Sequence, residues 1–271
     1  MRFRVIGSGS SGNCTLVEAE GTRVLLDAGL GPRELAERLQ SVGVDPASLA
    51  AVVLSHEHQD HARGAVSFSR KWGVRLCGSR GTYAAAGFGA EEIAGFDVIE
   101  PESPRTVGAL TISGVPLPHD AAGPYGFVVR AGEQALGHAT DFGHLSKRLV
   151  DAFRRCDAVL IESNYDPGLL RDSSYPWSVK ERIFGGYGHL SNQDCARYLA
   201  QGMGESCRTV VLAHLSQNSN HPELARRAAE EALARRGRTE VHLEISGPDG
   251  TGWIEVARSG PDRGPRQLRL F

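Results

Sequence analysis

The sequence predicts an α/β fold in which two mixed β-sheets pack together and helices cover their outer faces. Short apolar runs typical of strands outnumber what one doubly wound sheet requires, and amphipathic helical patterns recur between them. A chain of 271 residues can bury a large core. We therefore expect a single domain over residues 1–258 and a flexible tail over 259–271, where glycine, proline and charged residues dominate.

The first sixty residues alternate strand-like runs with turns. Strands are expected at 3–6, 15–17 and 23–26, and the last two form a hairpin around the Glu-Gly pair at 20–21. Small residues fill the loop at 7–13. A helix is predicted over 32–41, because Leu35 and Leu39 share one face. The apolar run 49–54 is typical of a buried strand.

Beyond residue 60, helical and strand patterns alternate along the chain. The predicted helices are 64–72, 82–86, 146–155, 192–203 and 222–236. The predicted strands are 74–77, 96–99, 110–117, 126–130, 134–140, 158–162, 209–213, 240–245 and 253–256. A stretch rich in Gly, Tyr and Pro, 164–187, is expected to be an excursion that contains a basic helix.

The most informative segment is the run SHEHQDH at 55–61, which directly follows the buried strand. Alternate side chains of an extended segment share a face, so His56 and His58 can bind the same ion. Asp60 and His61 can turn back towards a second ion beside it. Imidazole and carboxylate together suit Zn, Mn or Fe better than Ca or Mg. The run therefore predicts a metal-dependent hydrolase.

Three further candidate ligands, His119, Asp141 and His214, each come directly after a predicted strand. Strand ends at one edge of a sheet commonly carry rigid sites. Taken singly, each has an ordinary explanation as a turn histidine or, for Asp141, a helix N-cap. Considered with the run at 55–61, they complete a dinuclear metal site.

The net charge and the cysteine content indicate which cellular compartment and which binding partners to expect. A net charge of −2 gives no global attraction for nucleic acid or anionic membranes, although bound divalent ions would add local positive charge. Five scattered cysteines without a C-x-x-C pair indicate reduced thiols. The first residues lack an apolar signal-peptide core, and no apolar run approaches membrane-spanning length. We expect a soluble, cytoplasmic protein that does not associate with membranes.

These residues resemble the metallo-β-lactamase superfamily, whose fold is a four-layered αββα sandwich of two mixed β-sheets. The similarity runs through Asp27, the run 55–61, His119, Asp141 and His214. The chain resembles in particular the YycJ/WalJ-like branch, through four segments: GSGSSGNC at 7–14, SNYD at 163–166, GHLSN at 188–192 and AHLS at 213–216. That resemblance implies a bacterial exonuclease on double-stranded DNA, with DNA-repair proteins as possible partners.

The resemblance also implies a ligand set for two divalent ions. One ion would be held by His56, His58 and His119. The other would be held by Asp60, His61 and His214. Asp141 would bridge the two ions, and Asp27 would orient ligands from behind. Asp141 stands where the zinc β-lactamases carry a cysteine, which disfavours a lactam substrate and favours a phosphodiester or thioester.

The implied reaction is 5′-to-3′ phosphodiester hydrolysis, in which a hydroxide bridging the two ions attacks phosphorus. Asp60 would serve catalysis as well as metal binding. His189 is the candidate acid for the leaving 3′-oxygen, because its segment resembles the substrate-facing histidine segment of tRNA-processing members. The alternative is a loop histidine near a helix start that Ser191 or Asn192 caps.

Weaker patterns indicate contacts with the substrate. Ser10, Ser11 and Asn13 can donate to a terminal phosphate, although a tight turn packed beneath the metals is the simpler explanation. Arg182 belongs to a basic and aromatic mixture with YPW at 175–177, which can grip phosphates and stack on an unpaired end base. A solvated helix with aromatics on the core is the alternative.

Other functions remain open at this point. The same ligand set serves RNA-processing nucleases and small-molecule (thio)ester hydrolases of the glyoxalase II type. A non-catalytic metal-binding module would also carry such ligands. The nuclease-like segments at 188–192 and 213–216 favour a nuclease. The metal identity, the strand polarity and the oligomeric state have no signature in the sequence.

Overall fold

The computed structural model describes residues 1–89 and 91–257. Within these ranges the chain forms two seven-stranded β-sheets. The sheets pack face to face, and helices cover both outer faces. The predicted four-layered αββα sandwich of two mixed sheets is therefore confirmed. The flexible tail predicted at 259–271 lies outside the described residues.

Seven strands form the first sheet: β1 (Arg2–Gly7), β2 (Cys14–Ala19), β3 (Thr22–Leu26), β4 (Ala51–Val53), β5 (Arg75–Gly78), β6 (Phe96–Val98) and β14 (Ile254–Glu255). Their order is β14-β1-β2-β3-β4-β5-β6. Pairing is antiparallel from β14 to β3 and parallel from β3 to β6. The parallel half ends its strands at one edge, which is where a site can form.

Seven strands form the second sheet: β7 (Arg105–Val107), β8 (Leu110–Pro116), β9 (Tyr125–Ala131), β10 (Gln134–Ala139), β11 (Ala158–Glu162), β12 (Thr209–Ala213) and β13 (His242–Ile245). They follow one another in chain order across the sheet. Pairing is antiparallel from β7 to β10 and parallel from β10 to β13. Each sheet thus changes its pairing at one central strand, β3 or β10.

Nine α-helices connect the described strands: α1 (Pro32–Ser41), α2 (Gln59–Ala62), α3 (Ala65–Trp72), α4 (Arg80–Ala86), α5 (Lys147–Phe153), α6 (Pro167–Asp172), α7 (Trp177–Phe184), α8 (Asn192–Gln201) and α9 (Pro222–Arg235). A 3-10 turn covers Pro46–Ser48. Helices α1 and α3 pack on the first sheet, and α5, α8 and α9 pack on the second. None of the described helices has the length and hydropathy that crossing a bilayer requires.

The central core lies between the two sheets. Val24 and Leu26 of β3 point into it, whereas Leu25 points to the helices outside. This alternation follows from strand geometry, because successive side chains point to opposite faces. Since both faces of β3 are covered, all three positions are apolar and fully buried. The two sheets therefore form a rigid base for the loops at their shared edge.

The predicted bounds of helices and strands are confirmed where the hydrophobic pattern in the sequence is long and continuous. Helix α1 and strands β11 and β12 have the predicted bounds. Two short elements lack a prediction. Strand β7 has three residues, of which two are exposed, so no burial pattern marks it. Helix α2 has four residues, of which three lie in the histidine run. The excursion at 164–187 contains two helices, α6 and α7, where one was expected.

Candidate metal centre

The candidate ligands lie where strands of both sheets end. The loop after β4 and the short helix α2 carry four of them: His56, His58, Asp60 and His61. Segments that follow β8, β10 and β12 carry three more: His119, Asp141 and His214. The structure brings all seven together as overlapping groups whose ligand atoms lie within 4.8 Å of one another. The site therefore spans the edge between the two sheets.

The first group consists of His56, His58 and His119. His58 Nδ1 lies 3.3 Å from His119 Nε2. His119 Nδ1 lies 3.1 and 3.2 Å from the carbonyl oxygens of Tyr187 and Gly188. Carbonyl oxygens only accept hydrogen bonds, so Nδ1 of His119 carries the proton. The lone pair of Nε2 is therefore available to a metal ion.

The second group consists of Asp60, His61 and His214. His61 Nδ1 lies 2.8 Å from Asp27 Oδ2. The buried Asp27 also accepts hydrogen bonds from the backbone N–H and hydroxyl of Ser55, at 2.7 and 2.9 Å. This fixed carboxylate holds the His61 ring so that Nε2 faces the centre, 3.5 Å from Asp60 Oδ2. Asp27 thus fixes the His61 ring from the side away from Nε2, and its role as an orienting residue for a metal ligand stays a prediction.

Asp141 lies between the two groups. Its Oδ2 is 2.8 Å from His61 Nε2, and its Oδ1 is 3.3 Å from His214 Nδ1. It also forms a close group with His56 and His61. Asp141 therefore lies beside His56 of the first group and beside His61 and His214 of the second, and its bridging role stays a prediction.

An unsatisfied atom of the site tests whether these residues fit a metal. His56 Nε2 is buried and has no hydrogen-bond partner in the described part of the chain. Buried polar atoms are rarely left unpaired, because desolvation without a partner is costly. This nitrogen belongs to a cluster of nitrogen and oxygen donors. This donor set fits divalent ions such as Zn, Mn or Fe.

The protonation states of two of the candidate ligands, His56 and Asp60, favour metal binding. Burial and the neighbouring His61 hold the pKa of His56 well below its ordinary value. Burial opposes the charge on Asp60, but hydrogen bonds from His214 and His61 outweigh it and lower the pKa of that carboxyl. Metals bind neutral imidazole and ionised carboxylate. His56 and Asp60 therefore exist in their metal-binding forms at neutral pH.

Glu162, the last residue of β11, is a site residue that the sequence analysis missed. It is completely buried, and its Oε1 lies 2.9 Å from His189 Nδ1 and 2.8 Å from His214 Nδ1. Its Oε2 accepts hydrogen bonds from the backbone N–H groups of Phe142 and Leu190. One carboxylate thus orients two histidines. The available signal was the same as for the other ligands, a charged residue at the end of a buried strand.

His189 lies beside the ligand groups. Its ring centroid is 5.7 Å from that of His119 and 5.4 Å from that of His214. Its side chain is 22% exposed, unlike the completely buried Glu162. Burial favours neutral imidazole, but the Glu162 carboxylate outweighs it and raises the pKa of His189. The protonated form of His189 is therefore stabilised next to the candidate metal ligands.

The small-residue loop before β2 packs beneath the centre. Asn13 is buried, accepts a hydrogen bond from Gly9 N at 2.9 Å, and places its Nδ2 3.5 Å from Asp60 Oδ2. This amide is engaged within the protein, and its predicted contact with a substrate stays a prediction. Ser10 and Ser11 are exposed at the loop surface and remain open to a ligand.

Arg182 of α7 lies at the rim of the site. Its Nε is 2.6 Å from Oδ2 of Asp120, the residue after His119. The side chain remains 64% exposed, so the guanidinium keeps donors that face solvent. This position is consistent with the predicted phosphate contact.

Three site residues adopt left-handed backbone geometry without being glycine. The φ angles are 61° at Asp27, 61° at Asp141 and 56° at His214. Within the described residues, one further non-glycine residue shares this geometry, Glu20 in the β2–β3 hairpin. Such residues are uncommon, and strained ones persist where the surrounding structure holds them. At this site, the three residues with left-handed backbone geometry follow strands of both sheets, at the edge where the candidate ligands meet.

The fold and the histidine–carboxylate cluster define the class of protein, a metal-dependent hydrolase. The chain belongs to the beta-lactamase superfamily, whose domain model matches residues 22–215. The predicted metallo-β-lactamase resemblance is therefore confirmed. All seven candidate ligands lie inside the matched range.

The similar proteins identify the branch of that family. Exodeoxyribonuclease WalJ of Streptococcus pneumoniae serotype 2 is 31% identical over 238 residues, which cover 86% of this chain and 88% of the relative. Exodeoxyribonuclease YycJ of Bacillus anthracis is 29% identical over 243 residues, 88% of this chain and 90% of the relative. The chain thus falls in the YycJ-like branch.

The solved structures agree with this fold. The metallo-beta-lactamase fold protein YhfI of Bacillus subtilis superposes with a TM-score of 0.71 and 16% identity. The match covers 93% of this chain and 98% of YhfI. At this identity the likeness concerns the fold alone.

Proposed function

We propose that the protein is a dinuclear metal-dependent phosphodiesterase that degrades double-stranded DNA from the 5′ end. The observation that carries the proposal is the pair of ligand groups that Asp141 joins, next to His189, whose Nδ1 is held by Glu162. The relatives named as exodeoxyribonucleases support DNA as the substrate class. RNA is the second candidate substrate, because the same ligand set serves RNA-processing nucleases.

In this proposal each group of ligands holds one divalent ion. The first ion belongs to His56, His58 and His119. The second belongs to Asp60, His61 and His214. When bound, the ions would lower the pKa of water to supply a nucleophile and would neutralise charge on the phosphate. Asp27 and Glu162 keep His61 and His214 in the required orientation through their Nδ1 atoms.

His189 acts as the general acid in this mechanism. Glu162 holds its Nδ1, so Nε2 is the atom that can give a proton to the leaving 3′-oxygen. The Glu162 carboxylate raises the pKa of His189 and so favours the protonated ring that a general acid needs. Ser10, Ser11 and Arg182 line the exposed side of the site, where they would contact phosphates of the substrate.

We propose a cytoplasmic location and a role alongside DNA-repair proteins as part of the same function. All five cysteines are unpaired and buried, which suits a reducing compartment. Burial raises the pKa of Cys14, Cys77, Cys156 and Cys195 to about 12, so these thiols are inert at neutral pH.

The test is a cleavage time course on matched 5′-phosphorylated duplex DNA, single-stranded DNA and RNA, with Mn²⁺ or Zn²⁺. The control is the Asp60→Ala/His61→Ala protein, which lacks two ligands of one group. We expect mononucleotides from the duplex 5′ end, and none from the variant. Preference for RNA would keep the mechanism and change the substrate. A fully metallated protein that cleaves no polymer would refute the nuclease proposal and favour a thioesterase.

A further inference from the structure

The exposed large apolar side chains of the protein lie in one segment of the chain. Within the described residues they all fall between β11 and α8: Leu169, Trp177, Val179, Phe184 and Tyr187. Elsewhere in these ranges such side chains are at least partly covered. Single exposed apolar side chains are ordinary on a protein surface, so the surroundings of each one decide whether it can bind a ligand.

Tyr187 is the member of this set that is built into the wall of the centre. Its carbonyl oxygen lies 3.1 Å from His119 Nδ1 and accepts a hydrogen bond from Asp120 N at 3.2 Å. The preceding residue, Gly186, packs closely on Gly143, where an added Cβ would lie 2.3 Å from the Gly186 carbonyl carbon. The Tyr187 backbone therefore has little freedom to move.

The Tyr187 side chain, by contrast, is free. It is 66% exposed, and within the described ranges it has neither a hydrogen-bond nor a ring partner. The other two exposed aromatics have partners inside the protein. Trp177 Nε1 donates to Glu181 Oε1 at 2.7 Å, and the Phe184 ring contacts Tyr165 at 5.3 Å. A fixed backbone with an unpartnered ring is what a preformed stacking platform requires.

We propose that the Tyr187 ring stacks on the base of the 5′-terminal nucleotide of the strand being cleaved. The inference rests on the proposed nuclease function and adds a residue that determines specificity. Aromatic rings stack on any base, so the contact is tolerant of sequence. Arg182, on the same excursion, would hold the adjoining backbone phosphate. Stacking requires an unpaired base, so the terminal pair of a duplex would open before cleavage.

The test compares duplexes whose 5′-terminal nucleotide is normal or abasic, using the metal-loaded full-length protein. Tyr187→Ala should raise KM for the normal end about 5- to 100-fold, because stacking of one base contributes that much to binding. Tyr187→Phe should restore binding, since it keeps the ring. Leu169→Ala removes exposed apolar surface without a ring, and should match the wild type.

The abasic end separates stacking from a structural effect. Wild type and Tyr187→Ala should have the same KM on it, because the base that the ring contacts is gone. Equal KM values on the normal end, or an equal loss on both ends, would overturn the inference. Loss of bound metal in Tyr187→Ala would also overturn it, since the residue would then act through His119. If the wild type cleaves no nucleic acid, the proposed function itself fails.

Discussion

At the scale of single residues, the contact between Glu162 and His189 provides a proton donor that is distinct from the proposed metal ligands. His189 contacts two carboxylates but is absent from both proposed ligand triads. We expect His189→Ala to lower kcat about 10²- to 10⁴-fold while the metal content stays unchanged. A substrate with a 3′-bridging sulfur should recover most of the loss, because a thiolate leaves without a proton.

Single-turnover cleavage and metal analysis measure this effect, with His242→Ala, an exposed histidine remote from the cluster, as the control. Normal turnover by His189→Ala would contradict the assignment. A variant that loses metal would instead place His189 among the ligands.

Glu162 has a second consequence at this scale, because its charge sets the protonation of His189. Glu162→Gln keeps the shape but removes the charge that raises the pKa of His189. The acid then loses its proton at lower pH, so the alkaline fall in kcat/KM should move to lower pH. Metal affinity should fall about 10- to 100-fold, since His214 loses its charged partner.

A pH profile of kcat/KM and a metal titration check both effects, with Glu244→Gln, a half-buried glutamate on β13, as the matched control. An unchanged profile in Glu162→Gln would show that the carboxylate does not act through His189.

At the scale of elements, the turn after β3 supports the histidine run. A Cβ added to Gly29 would lie 1.6 Å from the carbonyl oxygen of Asp60, so no side chain fits there. We expect Gly29→Ala to destabilise the fold by about 1–3 kcal/mol or more, because the α2 backbone must move. Bound metal should decrease with it, since α2 carries Asp60 and His61.

Thermal unfolding of the metal-loaded and metal-free forms measures this cost. Gly31→Ala is the control, because nothing lies within 4 Å of its added Cβ and its φ is −55°. Equal stability of the two variants would show that α2 does not depend on the Gly29 contact.

Elements also show why part of the fold could be predicted and part could not. Helix α1 begins at a proline and has an apolar stripe, and β11 and β12 are continuous apolar runs, so local patterns define them. Strand β7 exists because it pairs with β8, a tertiary contact without a local signal. The role of Glu162 was missed although its local pattern is clear. Glu162 is the last residue of β11, so the sequence analysis treated it as part of the strand and not as a site residue.

At the scale of the whole molecule, the candidate ions join the two sheets. One sheet supplies the run at 55–61, and the other supplies His119, Asp141 and His214. Binding to the folded state alone stabilises it, by about 2.7 kcal/mol when free metal is 100 times Kd. We expect EDTA to lower the Tm and added Mn²⁺ or Zn²⁺ to restore it.

Differential scanning calorimetry measures this shift, and Asp60→Ala/His61→Ala should lose most of it. The same Tm in EDTA and in excess metal would mean that no ion bridges the sheets.

The meeting of ligands from the two sheets could not be predicted from local sequence patterns, because it depends on tertiary structure. In the sequence, His119 and His214 are isolated histidines. They could be predicted as metal ligands only in combination with the run at 55–61.

The left-handed geometry of Asp27, Asp141 and His214 makes the backbone of the site strained. Each residue holds a backbone conformation that costs of order 1–3 kcal/mol. The packing and hydrogen bonds of the folded chain must offset that cost. Since natural domains keep only modest stability, the protein gives up part of its margin to keep these side chains aligned. Greater thermal stability and activity are opposing demands at these three positions.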